Sequence, residues 1–197
     1  MPNKPTDQKD YTEGLIFRQS AWWKKLLNVQ APYKWNINRL KPGFALDVGC
    51  GIGRNLLHLN GKGVGVDHNE TSVAVCKKRG LTAFTVDDFM KSDYNIAERF
   101  DSILLAHVAE HMTSEDVRNI LAQYSYLLKK GGKIIVITPQ ELGFKSDDTH
   151  VEFIDFNKIK EILLESSYTI TKQFSFPFPR IVGHVFKFNE FVTVGFK

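Results

Sequence analysis

From Pro42-Gly43 onward, short apolar runs of β character alternate with segments of helical spacing, and this alternation leaves the chain few folds to choose from. Expected strands cover 44–48, 63–67, 82–86, 100–106 and 133–138, several ending on a polar residue or glycine where the chain turns. Runs this apolar are covered on both sides, the pattern of βαβ units in a parallel sheet with helices on both faces. The clearest helix begins at Thr113, a hydroxyl cap with Asp116 three residues on. It repeats Val117, Ile120, Leu121, Tyr124, Leu127 and Leu128 and is expected to stop at Gly131-Gly132. Another helix runs from about 156 to 166 behind Asp155 as its cap. The order then changes. Two β-like runs, 168–176 and 190–196, follow with no amphipathic helix between them, so the last strand is expected to be antiparallel.

With 197 residues, 43% hydrophobic and 24% charged, the chain can bury one full core. A single domain over 1–197 is expected, with a flexible start at 1–12, a helical segment over 13–40 and the sheet core over 41–197. The helical segment rests on the apolar pairs Leu15-Ile16, Trp22-Trp23 and Leu26-Leu27. The net charge of +4 comes from short basic clusters such as Lys77-Lys78-Arg79, which read as solvated helix faces, so a nucleic-acid partner is possible but not favoured. Cys50 and Cys76 lack a paired spacing and read as small core residues. No apolar run approaches membrane-spanning length and no signal peptide is evident, so a cytoplasmic protein with no membrane partner is expected, its oligomeric state open.

The stretch 45–55, Ala-Leu-Asp-Val-Gly-Cys-Gly-Ile-Gly-Arg-Asn, is a strand running into a glycine turn and then a helix. A dinucleotide site needs Gly-x-Gly-x-x-Gly, but here the spacing is Gly-x-Gly-x-Gly, and Arg54 stands where the third glycine belongs. That counts against NAD or FAD and suits a nucleoside ligand with no pyrophosphate to seat. The second strand ends on Asp67, a carboxylate able to accept from both ribose hydroxyls or, alternatively, to cap the next helix. The third ends in Val86-Asp87-Asp88-Phe89, where Asp88 is preferred as acceptor for an adenine amino group and Phe89 offers a backbone N–H to the ring.

Residues 46–53 resemble motif I of the class I S-adenosylmethionine-dependent methyltransferases, Asp67 their ribose acid and residues 86–89 their adenine motif. Residues 104–112 resemble the stretch that often reads Val-Leu-Glu-His-Leu in the small-molecule, ubiquinone-pathway-like branch, and 127–139 its Leu-Leu-Lys-x-Gly-Gly and following strand. The resemblance implies a Rossmann-like α/β fold: a seven-stranded sheet, mostly parallel, with a final antiparallel strand. It implies S-adenosylmethionine as cofactor and S-adenosylhomocysteine as product. The expected cofactor contacts are Asp47, Gly49, Gly51 and Gly53 in the loop, Asp67 and His68 after the second strand, Asp88 and Phe89 after the third, and His107 after the fourth.

Ligands in open α/β sheets bind at the carboxyl ends of the strands, where His107, Glu110 and His111 lie at i, i+3 and i+4, and a long polar loop brings His150 within reach. These four are the expected catalytic residues, with general-base catalysis, metal binding and plain structural hydrogen bonding all open. The spacing resembles the Glu-x-x-Glu-His stretch, joined by a later histidine, that binds a divalent metal in small-RNA 2′-O-methyltransferases. His107 stands in place of its first glutamate, and no metal is assigned. The aromatic stretch from Phe174 through Phe188 is expected to line or cover the acceptor pocket, or to pack as a hairpin on the core. The expected reaction is methyl transfer to a small-molecule acceptor. The alternatives are an RNA or protein methyltransferase and a catalytically silent, cofactor-binding regulator; the absence of an Asn/Asp-Pro-Pro-Tyr/Phe sequence after the fourth strand counts against nucleobase amino groups.

Overall fold

The computed structural model describes residues 30–197. The flexible start expected over 1–12 and the helix expected over 13–29, Trp22 and Trp23 included, lie outside the described residues. Helix α1 (Ala31–Arg39) carries a proline in its first turn, where the missing N–H costs nothing. The chain then runs β1 (Ala45–Val48), α2 (Arg54–His58), β2 (Gly63–Asp67), α3 (Glu70–Lys78), β3 (Ala83–Thr85), α4 (Val86–Met90) and β4 (Phe100–Ala106). It continues through α5 (Ser114–Tyr124), β5 (Leu128–Pro139), α6 (Glu141–Phe144), α7 (Phe156–Glu165), β6 (Thr169–Phe176) and β7 (Glu190–Phe196).

The seven strands form one sheet in the order β3-β2-β1-β4-β5-β7-β6. Strands β1 to β5 are parallel, and β7 pairs antiparallel with both β5 and β6. The period-two geometry of the strands sorts their side chains into two cores. Leu46, Val48, Ile103, Leu105, Ile134 and Val136 pack on one face beneath α5 and α7. Ala45, Leu104, Ala106, Ile135 and Ile137 pack on the other beneath Ile37 and Leu40. Each such fully buried Leu or Ile side chain stabilises the fold by about 1.5–3 kcal/mol.

Helix α5 opens on the expected capping box: the Asp116 backbone N–H donates to the Thr113 hydroxyl, and the Thr113 N–H donates to the Asp116 carboxylate. At α7, Asp155 Oδ1 accepts from the Asn157 and Lys158 N–H groups. Two expectations are corrected. The third strand stops at Thr85 rather than at 86, because the Thr85 hydroxyl accepts from the Asp88 N–H and starts α4 there. Helix α5 ends at Tyr124, well before Gly131-Gly132. The glycines lie in β5, whose pairing with β4 jumps from Phe100↔Leu128 to Ser102↔Lys133, so they take up the extra residues of a bulge.

Strand β2 is glycine-rich for a packing reason. A Cβ on Gly65 would lie 2.6 Å from Cys50 Sγ and 2.9 Å from Cys50 Cβ, on the loop that leaves β1. Gly65→Ala therefore overpacks this contact and is expected to lower unfolding stability by about 1–3 kcal/mol, measured by urea titration. An unchanged midpoint would show that the loop yields freely.

Candidate active site

The strand order reverses between β1 and β4, and the loops leaving their carboxyl ends part around a crevice. They touch at one point: a Cβ on Gly49, whose φ is +71°, would lie 2.4 Å from Val108 Cγ2, so only glycine lets the backbone pass. The Gly51 N–H donates to Asp67 Oδ2 at 2.7 Å, tying the loop to the end of β2, while Asp67 Oδ1 accepts from the Asn69 N–H at 2.9 Å. His68 stands beside this carboxylate, with Nδ1 3.6 Å from Asp67 Oδ1.

The crevice holds a cavity of about 480 Å³, the size of a small-ligand site. Gly49, Gly51, Arg54 and Asn55 line one side, His107, Glu110, His111 and His150 the facing side, and Tyr33, Phe188, Asn189 and Glu190 close it. Asp47 lies behind this wall, fully buried, with Oδ1 accepting from Asn55 Nδ2 at 3.3 Å; burial raises its pKa to about 7. Its part is to hold Asn55. Gly53 caps α2 in the left-handed region and packs against Leu81 and Cys76 instead of lining the cavity. Asp88 is exposed on the first turn of α4, and the Phe89 ring is wholly buried against Phe84 and Tyr124. Neither lines the cavity.

Beyond β4, His107 takes a left-handed φ of +61° and anchors its N–H on the Ile137 carbonyl at 2.8 Å. Its Nε2 meets Glu190 Oε1 at 2.8 Å, and its Nδ1 lies 3.4 Å from Glu110 Oε1. Burial pulls the imidazole pKa down, but the interactions with Glu110 and Glu190 outweigh burial and hold it at about 9. A ring kept protonated at neutral pH does not serve as a general base, which removes that role from His107. Burial and the Glu190 charge also push the Tyr33 phenol up.

Glu110 lies in a short 3-10 turn, Ala109–His111, is 1% exposed, and neither of its carboxylate oxygens has a hydrogen-bond partner. One potential ligand atom from each of Glu110, His111 and His150 falls within 4.8 Å of the others. The loop carrying His150 is pinned here because the Val151 N–H donates to the Glu110 carbonyl at 2.7 Å. His111 Nδ1 donates to the Thr149 carbonyl at 3.2 Å and His150 Nδ1 to the Phe144 carbonyl at 2.6 Å. A carbonyl accepts only from an N–H, so in each neutral ring the lone pair sits on Nε2. Sequence reasoning did not find Tyr33, Asn189 or Glu190. The one available signal was a lone carboxylate opening the otherwise apolar stretch of β7.

Residues 46–136 match the family described as a methyltransferase domain. A SAM-dependent methyltransferase from Archaeoglobus fulgidus superposes with a TM-score of 0.63 at 20% identity, covering 84% of this chain and 93% of that one. The segment matched to the family carries the glycine loop, Asp67 and the His107–His111 turn. The magnesium protoporphyrin IX methyltransferase of Synechocystis, solved with bound SAH, shares the fold at a TM-score of 0.59 and 15% identity, covering 87% and 82% of the two chains. An uncharacterized methyltransferase of Bacillus cytotoxicus is 33% identical over 54% of this chain and 54% of its own length. The ubiquinone biosynthesis O-methyltransferase of Rhodopseudomonas palustris is 31% identical over 47% of this chain and 38% of its own. The chain thus spans about half or less of the length of these curated relatives.

The raised pKa of His107 makes stability depend on pH. The contribution is fully present below the ordinary value of 6.5 and is lost as pH rises through about 9. With the side chain 30% exposed, metal-free wild type is expected to lose about 1–2 kcal/mol more than His107→Gln between pH 7 and pH 10, read from urea unfolding. An NMR midpoint for His107 below 7 would contradict this assignment.

Proposed function

We propose that this domain binds S-adenosylmethionine over the glycine loop and transfers its methyl group to a small molecule held in the cavity, with S-adenosylhomocysteine as product. The observation that carries the reading is the single cavity joining the glycine loop, tied to Asp67, with the His107–Glu110–His111–His150 wall. Asp67 accepts from the ribose hydroxyls with the lone pairs its two backbone contacts leave, and Asp88 serves the adenine amino group from outside the cavity. Arg54, the first residue of α2 and without a carboxylate partner among the described residues, meets the carboxylate of the methionine tail.

In the transfer the acceptor's lone pair attacks the methyl carbon in line, the C–S bond breaks, and the sulfonium becomes a neutral thioether. Holding the acceptor against the methyl supplies much of the rate, and a base is needed only where the acceptor atom carries a proton. His107 is held protonated by Glu110 and Glu190, so that proton passes to His111 or His150 Nε2.

A metal reading is favoured by one specific observation. Glu110 is buried with neither oxygen in a hydrogen bond and with the His107 ring 3.4 Å from Oε1 to offset its charge, and a cation shared with His111 and His150 would offset it further. Glu110, His111 and His150 would hold the ion, a His₂Glu set suited to a zinc-like ion with an open position. When bound, it supplies Lewis-acid activation of an acceptor hydroxyl. His107, committed to Glu190, stands outside the set.

Two measurements test these assignments. Calorimetry is expected to find S-adenosylhomocysteine binding and no NAD binding, with Asp67→Asn weakening the former by about 1–3 kcal/mol. Wild-type affinity in a folded Asp67→Asn removes the ribose role, and NAD binding without S-adenosylhomocysteine binding removes the cofactor reading. For the metal, chelator-treated protein reloaded with zinc and desalted is expected to retain about one ion per chain. His150→Ala and Glu110→Gln should lose it, while His107→Gln should keep it. Zinc retained equally by all four proteins, or by none, sinks the site.

A further inference from the structure

Two segments that carry no aspartate or glutamate, 30–46 and 166–189, are far apart in the chain. The fold brings them together beside the mouth of the cavity. The Tyr33 hydroxyl donates to the Phe188 carbonyl at 2.9 Å, the Tyr33 ring packs edge-on to Phe176 at 5.8 Å, and Trp35 stacks on Phe176 at 6.3 Å. The resulting face presents large apolar side chains to solvent: Ile181 is 76% exposed, Val185 78% and Trp35 58%, with Phe178 and Phe188 about half exposed. Of these only Phe188 lines the cavity; in the aromatic segment expected to cover the acceptor pocket or pack on the core, Phe174 and Phe176 pack on the core and Phe178 is exposed.

This protrusion is fixed in place. The Asn189 amide donates to Gln140 Oε1 and Ser175 Oγ, each at 2.9 Å, and Arg180 pairs with Glu141. Arg39, Lys172 and Lys187 stand over aromatic rings of the second segment, and none of them has a carboxylate partner among the described residues. Arg39 and Lys172 lie over the Phe174 ring at 4.6 and 5.0 Å.

We infer that this face docks on an anionic lipid bilayer, with Ile181 and Val185 entering the acyl boundary and the unpaired cations at headgroup level. Exposed aliphatic tips on a rigid protrusion, a Trp and Tyr flank and a basic rim in which Glu141 is taken up by Arg180 together match what an interface between hydrocarbon and anionic headgroups offers. Nucleic acid fits less well. The tips are aliphatic and offer neither a stacking plane nor a hydrogen bond, and Phe178, Phe186 and Phe188 are engaged edge-to-face with one another at 5.3 and 5.6 Å. The inference concerns a surface attachment: among the described residues no helix is long and apolar enough to cross a membrane. Because Lys187 and Phe188 belong both to this face and to the cavity wall, docking sets the cavity mouth at the lipid surface.

Vesicle co-sedimentation of the full chain tests the idea. Wild type is expected to pellet with phosphatidylglycerol-containing vesicles about tenfold more than with pure phosphatidylcholine, and less so as salt is raised. The double variant I181E/V185E, which alters only exposed side chains, should lose about tenfold in apparent affinity for the anionic vesicles while binding S-adenosylhomocysteine as wild type does. That control separates failure of the docking face from failure of the methyl-transfer reading. No binding to anionic vesicles at low salt, or undiminished binding by the double variant, overturns the inference. So does binding to single-stranded RNA in preference to vesicles, unchanged by I181E/V185E.

Discussion

Where β1 and β4 lie side by side, the chain leaves the sheet toward opposite edges, and that divergence makes the crevice on which the site depends. Two contacts keep it in shape. Gly49 lets the two departing loops meet at Val108 without closing the gap, and Asp67 holds the glycine loop through the Gly51 N–H. A carboxylate accepting a short backbone hydrogen bond is a strong, directional tie. Asp47 works to the same end from below, holding Asn55 against the cavity from a fully buried position.

The facing wall separates its charges by geometry. Glu190, arriving on the antiparallel β7, takes up His107 and keeps it protonated. Glu110, 3.4 Å from the other nitrogen of His107, also lies beside two imidazoles whose Nδ1 atoms are fixed by backbone carbonyls. Three histidines close in sequence or in space thus stand in different surroundings: one is set between two carboxylates, and two are fixed at Nδ1 by backbone carbonyls. The difference comes from their partners rather than from their residue type.

Much of the fold was legible in the sequence because local rules govern it. The parallel strands follow from short apolar runs between helical segments, and the starts of α5 and α7 follow from Thr113 with Asp116 and from Asp155. Local rules also explain the misses. Gly131-Gly132 carries the signal of a helix end, yet a bulge in a strand needs the same permissive backbone, and the pairing of β4 with β5 decides between them. Asp88-Phe89 reads as a strand end until Thr85 caps α4 and turns Phe89 into the core.

By itself, the sequence determined most of the strands and helices, that a glycine turn joins the first strand to a helix, that Asp67 ends the second strand, and that the last strand runs antiparallel. Each of these depends on residues within a few positions of one another, where backbone sterics, side-chain period and capping act directly. Only the tertiary structure decided that β7 inserts between β5 and β6, which sets Glu190 against His107 from 83 residues away. It also decided that His150 meets His111 and Glu110, and that two acid-free aromatic segments share one face. Those outcomes depend on which strand edge accepts which partner, a choice made by the summed burial of the whole sheet, so no short stretch of sequence records it.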